Sequence, residues 1–178
     1  MGPAEARRGR LKLAALGALF ALPVLLAWLF HATGWRSGSS ANYGELLAPR
    51  PLAGLAALRG KWVLVQFDAA ACGMACERKL YVMRQVRKAQ GDDQQRVERL
   101  WLLTDGAAPG APLLAAIEGT RVQPLRDPAF AAQFPGPASA FIYLVDPLGN
   151  LMMRFPADPD PARMVKDLQR LLKYSGIG

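Results

Sequence analysis

Between Leu13 and Phe30 the chain carries eighteen consecutive residues without a charge, LAALGALFALPVLLAWLF. A helix needs about twenty apolar residues to cross the hydrocarbon core of a bilayer, so this run with its ends is long enough to span. Only a structure that satisfies every backbone amide internally is stable there, and Pro23 is a break that lipid tolerates. Trp28 and Trp35 fall where an aromatic belt meets the outer interface. A cleaved signal peptide has a similar basic start, but its apolar stretch is shorter, about 7–15 residues, and ends in a small-residue cleavage site. Ser37-Gly38-Ser39 is a weak candidate for one. We therefore expect an uncleaved anchor. Arg7, Arg8, Arg10 and Lys12 ahead of it hold the N-terminus in the cytoplasm by the positive-inside rule. The rest then lies in the periplasm or an equivalent space outside the inner membrane. The expected organisation is a basic tail (1–12), a transmembrane anchor (13–35), a tether (36–48) that begins with Arg36-Ser-Gly-Ser-Ser-Ala-Asn42, and one domain (49–178).

The formal charge of +8 invites a nucleic-acid reading. It divides into +3 on the tail and +5 on the remainder. The densest stretch, Arg78, Lys79, Arg84, Arg87, Lys88, Arg96 and Arg99, is interrupted by Asp92, Asp93 and Glu98 and carries no nucleic-acid motif. It is expected to be a solvated helix face near anionic headgroups, with no nucleic-acid partner.

In the exported part, Lys61-Trp-Val-Leu-Val-Gln-Phe67 is a buried strand by its β-branched and aromatic run. Residues from Cys72 to about Ala89 fit a helix with Leu80, Met83 and Val86 on its inner face. Leu100 to Thr104 reads as a second strand, and Pro112 to Glu118 as a short helix with proline in its first turn. Phe141 to Val145 is a third strand. Asp146-Pro-Leu-Gly149 turns it back into Asn150 to Phe155, an antiparallel partner. Asp160 caps a last helix with Pro161 at its first position, and Met164, Val165, Leu168, Leu171 and Leu172 make its apolar stripe. Tyr43 to Arg59 is read as turns whose leucines cover the domain. Strands alternating with helices, then a hairpin, define an α/β class: a thioredoxin-like mixed sheet with flanking helices.

The two cysteines, Cys72 and Cys76, both lie in Ala71-Cys-Gly-Met-Ala-Cys76, where the first strand gives way to the first helix of the domain. Residues four apart share a helix face, so the sulfurs can converge. A helix N-terminus favours thiolate, and an oxidising compartment makes such a pair cycle or be capped. Two thiolates suit Cu(I) and are too few for structural zinc.

At these residues the chain resembles the Sco/SenC family of membrane-anchored, thioredoxin-fold proteins of cytochrome c oxidase assembly. The likeness runs from about Leu52 to Leu172. It rests on Leu58-Arg-Gly-Lys-Trp-Val-Leu-Val-Gln-Phe67, the CxxxC of Cys72 and Cys76, Thr104-Asp105, and Ala138-Ser-Ala-Phe-Ile-Tyr-Leu-Val-Asp-Pro-Leu-Gly149. The resemblance implies copper delivery, with Cys72 and Cys76 as Cu(I) ligands and redox-active thiols. It also implies partners in the membrane, oxidase subunits or another exported thiol protein. The family places a copper-binding His at the position of Ala138, and a Pro where Gly73 follows Cys72. The single histidine, His31, stands at the end of the anchor. Met74 between the cysteines and Met153 of Met152-Met153 are the soft side chains that could replace it as a third ligand. Three functions follow: Sco-like oxidase assembly by dithiol chemistry or weak Cu(I) handling, general thiol–disulfide exchange, or a non-catalytic redox-sensing scaffold. A hydrolytic triad is excluded because the exported part has no histidine and Ser139 no base. Asp105, Asp127 and Asp146 are expected in turns and caps.

Overall fold

A computed structural model describes residues 3–33 and 42–177. It holds two separate compact units, Met1–Ser40 and Ala41–Gly178, each considered by itself. In the first, helix α1 runs from Pro3 to Ala32, and its stretch Lys12–Phe30 is long and apolar enough to cross a membrane. Pro23 is accommodated within it. The expected interfacial Trp35 and tether residues 36–41, including Ser37-Gly38-Ser39, lie outside the described residues.

The second unit contains β1 (Glu45–Pro51), β2 (Trp62–Asp68), α2 (Met74–Lys88), β3 (Val97–Leu103) and α3 (Ala111–Ala116). After these come β4 (Arg121–Pro124), α4 (Pro128–Ala131), β5 (Ile142–Val145), β6 (Asn150–Phe155) and α5 (Pro161–Tyr174). Six strands form one sheet in the order β1-β6-β5-β2-β3-β4. The β2–β3 and β3–β4 pairs are parallel; β2–β5, β5–β6 and β1–β6 are antiparallel. The expected mixed thioredoxin-like sheet with flanking helices is the observed one.

Alternation along β2 builds the two faces of the core. Trp62 and Leu64 pack with Val82, Met83 and Val86 of α2 and Met164 and Leu168 of α5. Val63, Val65 and Phe67 point the other way, onto Leu52, Leu55, Leu100, Phe134 and Tyr143. A fully buried strand reads as a continuous apolar run for this reason. Asp160 caps α5 as expected, accepting from the Ala162 amide at 2.8 Å. Asp167 of α5 is buried and accepts from the amides of Tyr43 and Gly44, both at 2.8 Å, which ties the approach to β1 onto the helix.

Several boundaries differ from expectation. Glu45–Pro51, expected as tether and turns, is an edge strand paired with β6. Strand β3 begins three residues early, at Val97 rather than Leu100. Helix α2 begins at Met74 rather than Cys72, because Gly73 is its extended N-cap. The basic stretch on and after α2 is not solvated throughout: Lys79 and Arg99 are each 3% exposed.

Arg99 carries a cost. Its Nη2 donates to the Glu118 carbonyl at 2.6 Å, while Nε and Nη1 are buried with no partner. Burial, with the like charges of Arg87 and Arg84, lowers its guanidinium pKa to about 10. The unfolded chain therefore still binds the proton above that value, and Arg99 makes stability rise with pH from about 10 upward. At neutral pH its whole penalty opposes folding. A buried charge with no ion-pair partner and two unpartnered donors carries its desolvation cost uncompensated. Arg99→Met is expected to gain about 1–3 kcal/mol at pH 7 in urea unfolding and to flatten the alkaline rise.

Candidate functional site

The cysteine motif starts where β2 ends. Asp68 closes that strand: its carboxylate accepts from the Ala69 amide at 3.0 Å, and its carbonyl accepts from the amide of Thr104, just past β3, at 3.0 Å. Asp105, expected to serve its own turn, instead accepts from the Ala70 amide at 3.0 Å and so fixes the start of the motif loop. Asp127 and Asp146 do serve a cap and a turn, accepting from Ala129 and from Leu148 and Asn150.

Cys72 ends a tight turn in which its amide donates to the Ala69 carbonyl at 3.1 Å. Its φ of +41° makes it the one non-glycine residue with left-handed backbone among those described. That region costs an L-residue roughly 1–2 kcal/mol, and such outliers persist only where the surroundings enforce them. Here the enforcement is covalent: Cys72 and Cys76 are joined by a disulfide with 5.1 Å between their Cα atoms. The sulfurs meet because the chain turns back before the helix, not because both stand on one helix face. Cys76 sits in the first turn of α2, where unpaired amides and the macrodipole favour negative charge. Both cysteines are buried, packed with Ala70, Leu80, Trp101, Leu103 and Ile117.

Two buried polar side chains, Gln66 and Lys79, lie near the motif and were not expected at the site. Gln66 of β2 is wholly buried, and its Nε2 lies 3.3 Å from both the Sγ and the carbonyl oxygen of Cys76. Lys79, one turn after Cys76, donates to the Ser139 carbonyl and pairs with Asp68 at 3.6 Å. Burial lowers the Lys79 ammonium pKa, against the raising influence of Asp68. Next to the motif a groove of about 770 Å³ opens between α2 and α3, lined by Ala70, Ala71, Tyr81, Asp105, Pro112 and Leu113.

Neither expected third ligand belongs to the core cluster of the cysteines. Met74 is 89% exposed at the start of α2. Met153 is buried in the other core cluster with Leu64 and Met164. Ala138 lies in the short 3₁₀ turn Ala138–Ala140, whose Ser139 carbonyl is taken by Lys79. Among the described residues no group of three or more His, Cys, Asp or Glu side chains could hold a metal ion.

The fold and the disulfide define a thioredoxin-like domain with its cysteine pair at the strand-to-helix turn. The chain belongs to the family described as transmembrane-like, thioredoxin-like, C-terminal domain, whose model matches residues 62–175. No curated protein matches the chain in sequence. Among solved structures it is similar to apo Sco1 from Thermus thermophilus, at 21% identity over 76% of this chain and 99% of that one, with a TM-score of 0.59. Yeast Sco1 with copper bound is similar at 16% identity, over 77% and 96%, with a TM-score of 0.56. BsSco, a member of the Sco family of cytochrome c oxidase assembly proteins in which a disulfide switch was identified, is similar at 15% identity. It covers 77% and 98%, with a TM-score of 0.52. These likenesses establish a Sco-like thioredoxin fold.

Proposed function

We propose that the protein is a membrane-anchored thiol–disulfide exchange protein of the Sco type, using Cys72 and Cys76 on exported thiol proteins of cytochrome c oxidase assembly. The observation that carries this is the disulfide itself, closed across a turn that holds Cys72 in left-handed backbone. Such a pair has two redox states, the closed disulfide and the open dithiol. The tail Arg7, Arg8, Arg10 and Lys12 supports an N-terminus in the cytoplasm and a domain, from about residue 49, in the periplasm. The membership of BsSco in a family of cytochrome c oxidase assembly proteins supports the oxidase context.

The full chain in detergent, equilibrated with glutathione buffers and quenched by alkylation, is expected to show one two-electron transition. Cys72→Ser and Cys76→Ser each abolish it. A pair that never equilibrates would overturn the proposal.

A second reading is Cu(I) as cargo on the reduced sulfurs, supported by the copper-bound yeast relative. The reduced chain is then expected to take up one Cu(I) from a weak chelator and to lose it to a strong one. Either serine variant removes that uptake. No binding by the fully reduced protein would remove this reading.

A further inference from the structure

Gln66 is a costly residue for its position. It occupies the middle of β2, a strand otherwise apolar from Trp62 to Phe67, and none of its surface reaches solvent. Half of its carboxamide is wasted: Oε1 is buried with no hydrogen-bond partner. A leucine or methionine there would bury the same volume without an orphaned oxygen, whose desolvation is otherwise uncompensated. The other half points at one residue, with Nε2 3.3 Å from the Cys76 carbonyl oxygen and 3.3 Å from the Cys76 sulfur.

That double contact settles which end of the amide faces the cysteine. A backbone carbonyl oxygen only accepts, so the group beside it must be the NH₂; a flipped amide would set two oxygens against each other. The carbonyl of Cys76 is the same in both redox states. It therefore holds the second N–H of Gln66 toward the sulfur whether the disulfide is closed or open.

We propose that Gln66 is a positioning residue for the exchange reaction, a fixed donor to the Cys76 sulfur that favours its release as thiolate. The inference rests on the thiol–disulfide reading above. In the step concerned, a thiolate of a partner dithiol attacks the Cys72 sulfur. The Cys72–Cys76 bond breaks, a bond from the partner sulfur to Cys72 forms, and the electron pair leaves with Cys76. The second partner thiol, deprotonated by solvent, then attacks its own sulfur in the mixed disulfide and releases Cys72. The partner ends oxidised to a disulfide and this chain reduced by two electrons. A disulfide sulfur is a weak acceptor and a thiolate a strong one, so the donor stabilises the state after the first step more than the state before it. Leaving-group stability also sets the rate of such an exchange.

The test uses Gln66→Met in the full chain, in detergent. The glutathione equilibrium is expected to shift about tenfold toward the disulfide, equivalent to about 30 mV for a two-electron couple. Reduction by dithiothreitol slows about tenfold. Thermal unfolding of the oxidised form stays level or rises, since the orphaned oxygen is gone. A purely structural glutamine would show the reverse pattern: lower stability with an unmoved equilibrium. A variant within twofold of wild type in the glutathione equilibrium would overturn the inference. A wild-type pair that ignores glutathione would instead overturn the exchange reading beneath it. Should Gln66→Met fail to fold, the side-chain ¹⁵NH₂ resonances of Gln66 in wild type decide. One of the two protons is expected to move downfield on reduction, and two unmoved protons would count against the role.

Discussion

Phe67→Ala is expected to destabilise the domain by about 3–5 kcal/mol, a large share of the 5–15 kcal/mol that typically separates folded from unfolded chains. Phe67 is wholly buried at the end of β2. Its ring stands edge-on to Phe134 at 4.7 Å and to Tyr143 at 6.3 Å, and 6.5 Å from Phe130. Edge-to-face pairs add roughly 0.5–1.5 kcal/mol beyond the area they bury, so truncation removes transfer energy, ring contacts and packing together. The cavity cannot close readily, because Tyr143 is anchored through its hydroxyl to the Pro135 carbonyl at 2.8 Å. The neighbouring Asp68 and the motif loop hang from this strand end, so the variant should also expose the disulfide. Urea unfolding of the full chain, together with the rate of reduction by dithiothreitol, checks both parts. Phe67→Leu, which keeps most of the volume, should lose less than half as much.

This ring cluster shows why part of the fold was legible and part was not. Trp62 to Phe67 announces itself because a central strand covered on both faces needs apolar residues at every position. The hairpin of β5 and β6 and the capped α5 carry their own turn and cap chemistry, and all three sit where expected. Strand β1 carries Pro49 and Pro51 and is exposed along nearly its whole length, so neither propensity nor periodicity marks it. Proline is tolerated there because β1 is an edge strand, a fact of the assembled sheet rather than of the segment. The same holds for the short edge strand β4.

The candidate site divides in the same way. Two cysteines in a strand-to-helix turn are visible in the sequence, but their geometry was misassigned, since Gly73 caps the helix after Cys72 rather than before it. Gln66, Lys79 and Asp105 were not legible as a set, because they come from β2, α2 and the turn after β3, and each touches a different part of the motif's surroundings. Gln66 alone left a trace, as the one polar side chain inside the buried run and on the same face as Trp62 and Leu64.

The two cysteines should behave unequally when separated. In Cys76→Ser, Cys72 is expected to form a lasting mixed disulfide with a partner thiol protein. Cys72→Ser should trap little. Accessibility does not distinguish them, since both are buried in the oxidised state. The backbone does. Cys72 lies before the helix in a tight turn, its amide hydrogen-bonded to the Ala69 carbonyl at 3.1 Å and its φ at +41°, outside the helical hydrogen-bond ladder. Cys76 cannot swing out without unwinding the first turn of α2, where the Glu77 amide is already bonded to Gly73 at 3.0 Å, and its sulfur and carbonyl are both gripped by Gln66. Iodoacetamide labelling of the reduced single-cysteine variants should therefore favour Cys72 by on the order of 100-fold, since thiol reactivity requires access as well as thiolate. Faster labelling of Cys76 would reverse the assignment and make Cys76 the attacking sulfur. Gln66 would then activate the nucleophile rather than stabilise a leaving group.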